Sequence, residues 1–313
     1  MALSDNARGA LLMIGSMTGF TVNDTFMKSL SGELPLAQAI FLRGCATTVL
    51  LFALAATLGQ LRLRLPRQDA GLLALRTAAE IGAVYFFLTA LFNMPIANAT
   101  AILQALPLAV TLAGALVFGE RIGWRRMTAI LAGFAGVLLI VRPGTEGFTI
   151  YSLYVLGAVA CVTVRDLAVR RMSGALPSLT VAFVAAAGVT VAFALVAALQ
   201  PWQPVTPGAA LRLGGAALSI LLAYILSVAT MRVGEIAVVA PFRYTGLVVA
   251  LVLGWLVFGE WPAAATLAGA VLIVASGVFT LWREQALARA TRQQAGRPRA
   301  QGKRSVDTSP DSL

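Results

Sequence analysis

Ten apolar runs alternate with short polar segments along the chain, at about residues 9–27, 36–58, 70–92, 97–118, 124–141, 149–169, 178–199, 209–231, 236–258 and 262–282. A hydrocarbon core of about 30 Å takes roughly 20 helical residues, and within lipid a helix satisfies its own backbone hydrogen bonds. The pattern therefore predicts an all-α integral membrane protein with ten transmembrane helices. The first run carries Asn23 and Asp24 near its end, and no small-residue cleavage site follows a basic start, so it does not read as a secretory leader.

Composition removes most other classes. Hydrophobic residues make up 59% of the 313 residues and charged residues 12%, against roughly 45–50% and 25% in soluble domains. A soluble globular protein is excluded. The chain has no histidine, which removes serine–histidine triads and nearly every zinc-enzyme site. Cys45 and Cys161 lie inside apolar runs and form neither a CxxC motif nor a disulfide framework. No GxxxxGK[ST] segment occurs, so this chain has no phosphate loop of its own. No cofactor or metal is expected.

Basic residues are distributed unequally between alternate loops. With the N-terminus inside, the inner loops hold Arg62, Arg64 and Arg67, then Arg121, Arg125 and Arg126, then Arg170 and Arg171, then Arg232. The opposite loops hold only Lys28 and Arg142. The asymmetry predicts both termini on the cytoplasmic side of an inner membrane. Trp124, Trp261 and Trp282 stand at run ends, as interfacial aromatics do. Residues 283–313 hold seven basic residues against three acids and lack apolar periodicity. They read as a disordered basic tail attracted to anionic lipid headgroups. No aromatics interleave its basic residues, so the net charge of +11 needs no nucleic-acid partner.

The chain also repeats itself. Residues 114–120 read GALVFGE and residues 254–260 read GWLVFGE, an offset of 140. Thr21-Val22-x-Asp24 followed by Ser31-Gly32-x-Leu34-Pro35 returns as Thr163-Val164-x-Asp166 followed by Ser173-Gly174-x-Leu176-Pro177, an offset of 142. Residues 1–145 and 146–282 are then two copies with five helices each. Because five is odd, the second copy enters the membrane from the opposite side. A five-plus-five inverted repeat can exchange conformations between its copies and so open alternately to either side. This favours a carrier over an inert bundle.

These residues resemble the EamA-type members of the drug/metabolite transporter superfamily, over about residues 9–282. The likeness is carried by Ala99–Pro107 (ATAILQALP) followed by Leu116–Glu120, by Leu131–Pro143 (LAGFAGVLLIVRP), by Val239–Glu260 and by the Gly269 region. The resemblance implies a central cavity lined by helices 1, 3, 4, 6, 8 and 9, with helices 5 and 10 at the periphery, often in a homodimer contact. It implies transport of a small molecule, without specifying the substrate. Relatives export amino acids, take up riboflavin or other metabolites, or move metal-chelating metabolites.

Charges within a span cost several kcal/mol unless they are paired or face water. Seven lie deep: Asp24, Arg43, Arg76, Glu80, Arg165, Asp166 and Arg243, four positive and three negative. Arg212 is close enough to a helix end to snorkel. Similar depths suggest an outer Asp24–Arg43 pair. The duplication puts Asp24 and Asp166 near opposite mouths, as gates or proton-coupling sites, with Glu80 and Arg165 alongside. The bland alternative makes Asp24–Lys28, Asp166–Arg170 and Arg76–Glu80 local i,i+4 pairs. Thr100, Gln104, Pro107 and Thr111 share one face of the fourth helix. Pro107 frees the carbonyl of Leu103, and Pro241 that of Ala237. Arg43, Glu80, Phe87, Thr100, Gln104, Tyr224, Arg243 and Tyr244 are the candidate substrate contacts, although the aromatics suit a core equally and Gly246, Ala250 and Gly254 beside Arg243 also suit a packing seam. Glu120 and Glu260 each precede a helix N-terminus and read as structural.

The charge inventory predicts a secondary transporter for a small anionic or zwitterionic metabolite, such as an amino acid, with a coupling proton. A larger substrate such as riboflavin is an alternative. A membrane-embedded lipid-modifying enzyme is another, with Glu80 and Asp166 its best acid–base pair. A non-transporting scaffold or sensor would carry an added soluble domain, and the tail is too short to be one.

Overall fold

The apolar runs fold as a bundle of helices in the structure, a computed structural model that describes residues 4–61, 67–119, 123–145, 148–173, 176–233 and 236–295. The spans are α1 (Asp5–Lys28), α2 (Leu36–Thr57), α3 (Arg67–Asn93), α4 (Ile96–Phe118), α5 (Trp124–Val141), α6 (Ile150–Arg171), α7 (Ser178–Ala198), α8 (Pro207–Val233), α9 (residues 236–258) and α10 (Ala264–Ala295). Among the described residues, nine helices are long and apolar enough to cross a membrane. The exception is α1, 24 residues long, which carries Ser16, Thr18, Thr21, Asn23, Asp24 and Thr25. Its polarity belongs to its interior position, because Ser16, Thr21, Asn23 and Thr25 are all buried.

Two spans are broken at nearly corresponding positions of the repeat. In α4, Ile96–Leu103 and Leu106–Phe118 are separate helices joined at Gln104 and Ala105. In α9, Ile236–Val239 leads into a 3₁₀ segment, Ala240–Tyr244, and then into Thr245–Phe258. Tyr244 and Thr245 stand 140 residues after Gln104 and Ala105, so the interruptions coincide. The prolines do not: Pro107 follows its break and Pro241 precedes the other. Both spans end on the duplicated LVFG sequence, with Gly119 (φ 68°) and Gly259 (φ 66°) left-handed. Only glycine adopts that helix stop without strain.

The first part of the basic tail, residues 283–295, departs from expectation. Helix α10 continues to Ala295, thirteen residues past the predicted end of the span. Ala286, Leu287, Ala288, Arg289 and Ala290 are strong helix formers, and a helix already nucleated in the membrane extends through them. Arg62, Arg64, Arg121 and the residues after 295 lie outside the described residues, as does the side chain of Arg232.

Packing joins each copy to the other. The closest partners are α1 with α8, α3 with α6, α5 with α10 and α2 with α7. Exchange of the copies turns α1–α8 into α6–α3 and returns α5–α10 and α2–α7 to themselves, the signature of a pseudo-twofold. Small residues allow the approach, as in other membrane bundles. A Cβ on Gly19 of α1 would stand 3.0 Å from Ala223 Cβ of α8, and one on Gly136 of α5 would lie 2.7 Å from the Gly269 carbonyl of α10. Ser16 Oγ donates to the Ala223 carbonyl at 2.8 Å in the same α1–α8 seam.

Odd and even helix ends define two faces. The first face carries the N-terminus of α1 and the second carries its C-terminus. At the second face Ile96–Leu103 of α4 packs on Thr245–Phe258 of α9. The mirrored contact at the first face, between Leu106–Phe118 and Ile236–Tyr244, has no comparable packing among the described residues. The bundle is closed at the second face.

Candidate functional site

Among the described residues, two hollows lie between the helices. The larger, about 170 Å³, is enclosed by α1, α4 and α9. Met17, Phe20, Thr21 and Asp24 recur at helical spacing along α1, and Thr100, Gln104 and Pro107 do so on α4. Arg243 and Gly246 complete it from α9. The break in α9 places Arg243 here, within the 3₁₀ segment. Gly246 serves the hollow and the helix seam together: its carbonyl accepts from Thr21 Oγ1 at 3.3 Å.

The electrostatics of this hollow are unusual for a membrane interior. Arg243 is half-buried and makes neither a hydrogen bond nor an ion pair among the described residues. Asp24 accepts from Asn23 Nδ2 at 2.9 Å, and no cation lies within ion-pair distance among the described residues. Two opposite charges thus face one cavity without neutralising each other, an arrangement tolerated in membranes where water or a solute supplies the counter-contacts.

The smaller hollow, about 60 Å³, lies between α2, α3, α7 and α8. Arg43, Thr47, Glu80 and Tyr224 contribute its polar atoms. The resemblance implies a central cavity without α2 or α7; this smaller hollow is bordered by both. Arg43 is too deep on α2 to reach a headgroup and turns inward, while Ala182, Ala185 and Ala186 on α7 leave room opposite it. Phe20 and Tyr224 meet edge to face at 5.4 Å, one from each hollow. Asn23 spans the same partition: its Oδ1 accepts from Arg43 at 3.2 Å while its Nδ2 donates to Asp24. The expected Asp24–Arg43 pair is therefore a relay through an amide.

Glu80 anchors a second network. Arg165 donates to both its oxygens at 3.3 and 3.4 Å, and Arg76 lies 3.8 Å away. Arg165 Nε also donates to Asp166 at 2.9 Å. Glu80 and Asp166 are thus both held by Arg165. Phe87 packs against the core rather than either hollow. Tyr244 is turned toward α10, where a Cβ on Gly277 would strike its hydroxyl. The structure thus brings together Asp24, Thr100, Gln104 and Arg243, sets Arg43, Glu80 and Tyr224 behind a partition, and leaves Phe87 and Tyr244 outside.

The closed face has its own ionic latch. Lys28 bonds Glu260 Oε1 at 2.8 Å, donates to the Met94 carbonyl and lies 5.3 Å from the Phe258 ring centre. Glu260 Oε2 accepts from the backbone N–H of Ile96 at 3.1 Å. Glu260 is structural, but it caps α4 rather than the helix that follows it in sequence. Lys28 pairs with Glu260 and not, as the local reading has it, with Asp24. Glu120 lies outside the described residues; Arg170 stands over the Phe118 ring at 5.2 Å. The pair is partly exposed, so its loss costs about 1 kcal/mol. In a background free of native cysteines, Ala97→Cys, at a position buried in the wild type, is expected to label several-fold faster with a polar maleimide after Glu260→Ala. Glu260→Gln, which keeps an acceptor for Ile96, should fall between. Unchanged labelling would remove the latch.

Comparison with known proteins settles the family. The model of the EamA-like transporter family matches twice, at residues 7–142 and 149–282. The chain belongs to that family. Among EamA-family relatives, the Pseudopaline exporter CntI of Pseudomonas aeruginosa is 31% identical over 275 residues, covering 85% of this chain and 93% of its own. The Riboflavin transporter of Vibrio cholerae is 30% identical over 281 residues, 88% of this chain and 93% of its own. The S-adenosylmethionine uptake transporter of Rickettsia prowazekii is 25% identical over 293 residues, 91% and 96%. A crystal structure of another chain shares the fold with a TM-score of 0.64 at 20% identity, over 90% of this chain and 98% of its own. This EamA-family protein is a multi-pass membrane transporter of small molecules and not an enzyme.

Sequence reasoning missed Asn23, Phe20 and Thr47. The first two were signalled by their spacing: Asn23 adjoins Asp24, and Phe20 lies one turn before it.

Proposed function

We propose that this carrier moves a small zwitterionic or anionic metabolite, an amino acid or another carboxylated compound, by alternating access. The observation that supports this reading is the pair of unneutralised charges facing one hollow, Arg243 and Asp24, beside Thr100 and Gln104. Arg243 would take the carboxylate in a fork of N–H donors and Asp24 the ammonium group. The hollow's volume is below the roughly 300–1,000 Å³ of drug-sized pockets, which favours a solute of amino-acid size over riboflavin. Asp24 also suits a coupling proton, because Glu80 and Asp166 are already held by Arg165. The arginine asymmetry favours both termini in the cytoplasm, so that the closed second face is the outer one. Relatives named as an exporter and as uptake transporters support transport and leave its direction open.

A thermal-shift panel tests the substrate class. Amino acids, the amines that lack their carboxylate and the matching amides are compared at equal concentration, since a ligand of the folded state raises the transition by mass action. Only compounds carrying a carboxylate are expected to stabilise the wild type. Stabilisation by the carboxylate-free amines, with none from their parents, would overturn the assignment.

A further inference from the structure

We propose that the smaller hollow is a separate binding site for a small inorganic anion of the halide class, seated on Arg43 and Thr47. Arg43 is 7% exposed and Thr47 is 5% exposed, so both are more than nine-tenths buried. They stand one turn apart on α2 and line the same cavity, with Gly44 between them contributing no side chain. One guanidinium nitrogen of Arg43 is taken by Asn23, but Nε has no partner among the described residues, nor has the Thr47 hydroxyl. A buried cationic N–H and a buried hydroxyl on residues lining one space are two donors left unsatisfied, which is costly at membrane depth. A halide accepts from both and supplies charge opposite to Arg43.

Arg43 and Glu80 are the charged residues among those lining the hollow. Glu80 lines the cavity, yet its oxygens already receive Arg165 at 3.3 Å, with Arg76 at 3.8 Å. Asp24 is the carboxylate that acts most strongly on Arg43, through space and through the Asn23 amide, and it opens into the other hollow. Space sets the size class. About 60 Å³ accommodates a monatomic ion with a water or two, and not the body of a carboxylated metabolite. The alanines of α7 and Val84, Val189 and Ile220 form the rest of the wall and make it dry on that side.

The test needs no substrate and is independent of the transport assignment. Purified full-length protein is melted, with tryptophan fluorescence as readout, in sodium chloride, bromide, acetate or gluconate at one ionic strength. Chloride and bromide are expected to raise the transition saturably by roughly 3 °C over gluconate. The rise should vanish in Arg43→Gln and in Thr47→Val, and persist in Arg243→Ala, which alters only the larger hollow. If Arg43→Gln does not fold, Thr47→Val decides. Equal transitions in halide and gluconate, a halide response retained by the substituted hollow, or a response to acetate without one to halide would each overturn the site.

Discussion

Arg243→Ala is expected to reduce flux in proteoliposomes by about a hundredfold while leaving the fold intact. The argument rests on what the guanidinium does not touch. A buried charge engaged in an ion pair strands its partner when removed, and stability falls with it. Arg243 makes no such bond among the described residues, so its truncation leaves no protein group uncompensated. Its loss falls instead on the solute's anionic group, where a charge-assisted contact in a desolvated cavity is worth about 3 kcal/mol, or two decades of affinity. Arg243→Lys keeps the charge but not the planar fork, and partial recovery is expected. The measurement is uptake of whichever carboxylated compound the thermal panel selects, alongside the melting transition of each variant. Wild-type flux in Arg243→Ala would remove the residue from the substrate path.

Glu80→Leu should act in the opposite way, through stability. Glu80 accepts from Arg165, lies 3.8 Å from Arg76 and stands in the middle of α3. Without it two guanidiniums face each other across a low-dielectric interior, with Asp166 alone to offset them. Removing one partner of a buried ion pair costs about 3–5 kcal/mol. The side chains here retain 12–24% exposure, which places the effect near the lower bound, about 3 kcal/mol. Thermal unfolding of the purified variant reads it directly. A second change, Arg165→Gln, should recover part of the loss, because the two residues share one network and their effects are not additive. A single variant as stable as the wild type would show that the pair is solvated in the membrane.

The run pattern and the duplication contained the architecture, because helix length, lipid thickness and an odd number of spans leave few alternatives. Sequence spacing also put Thr100, Gln104 and Pro107 on one face, which the hollow uses. Spacing within a helix does not say which helix stands opposite, and the remaining differences come from there. Asp24 and Arg43 lie at similar depth, yet Asn23 fills the gap between them. Lys28 has an acid four residues before it and takes one 232 residues away, because the second face closes over Glu260. Tyr244 follows Arg243 directly but turns to α10, since neighbours in a 3₁₀ segment point about a third of a turn apart. Residues 283–295 of the basic tail are helical for a local reason: their alanines and leucine continue a helix that lipid has already started.

The twin interruptions of α4 and α9 bear on how such a molecule moves. A continuous helix transmits displacement as a rod, whereas one whose hydrogen bonds shift to a tighter 3₁₀ spacing at its midpoint has a place to bend. Each of these spans therefore behaves as a jointed arm with its elbow beside the charged pocket. Prying apart the forearms at one surface need not drag the upper arms at the other, and the cargo would sit at the pivot, displaced least of all.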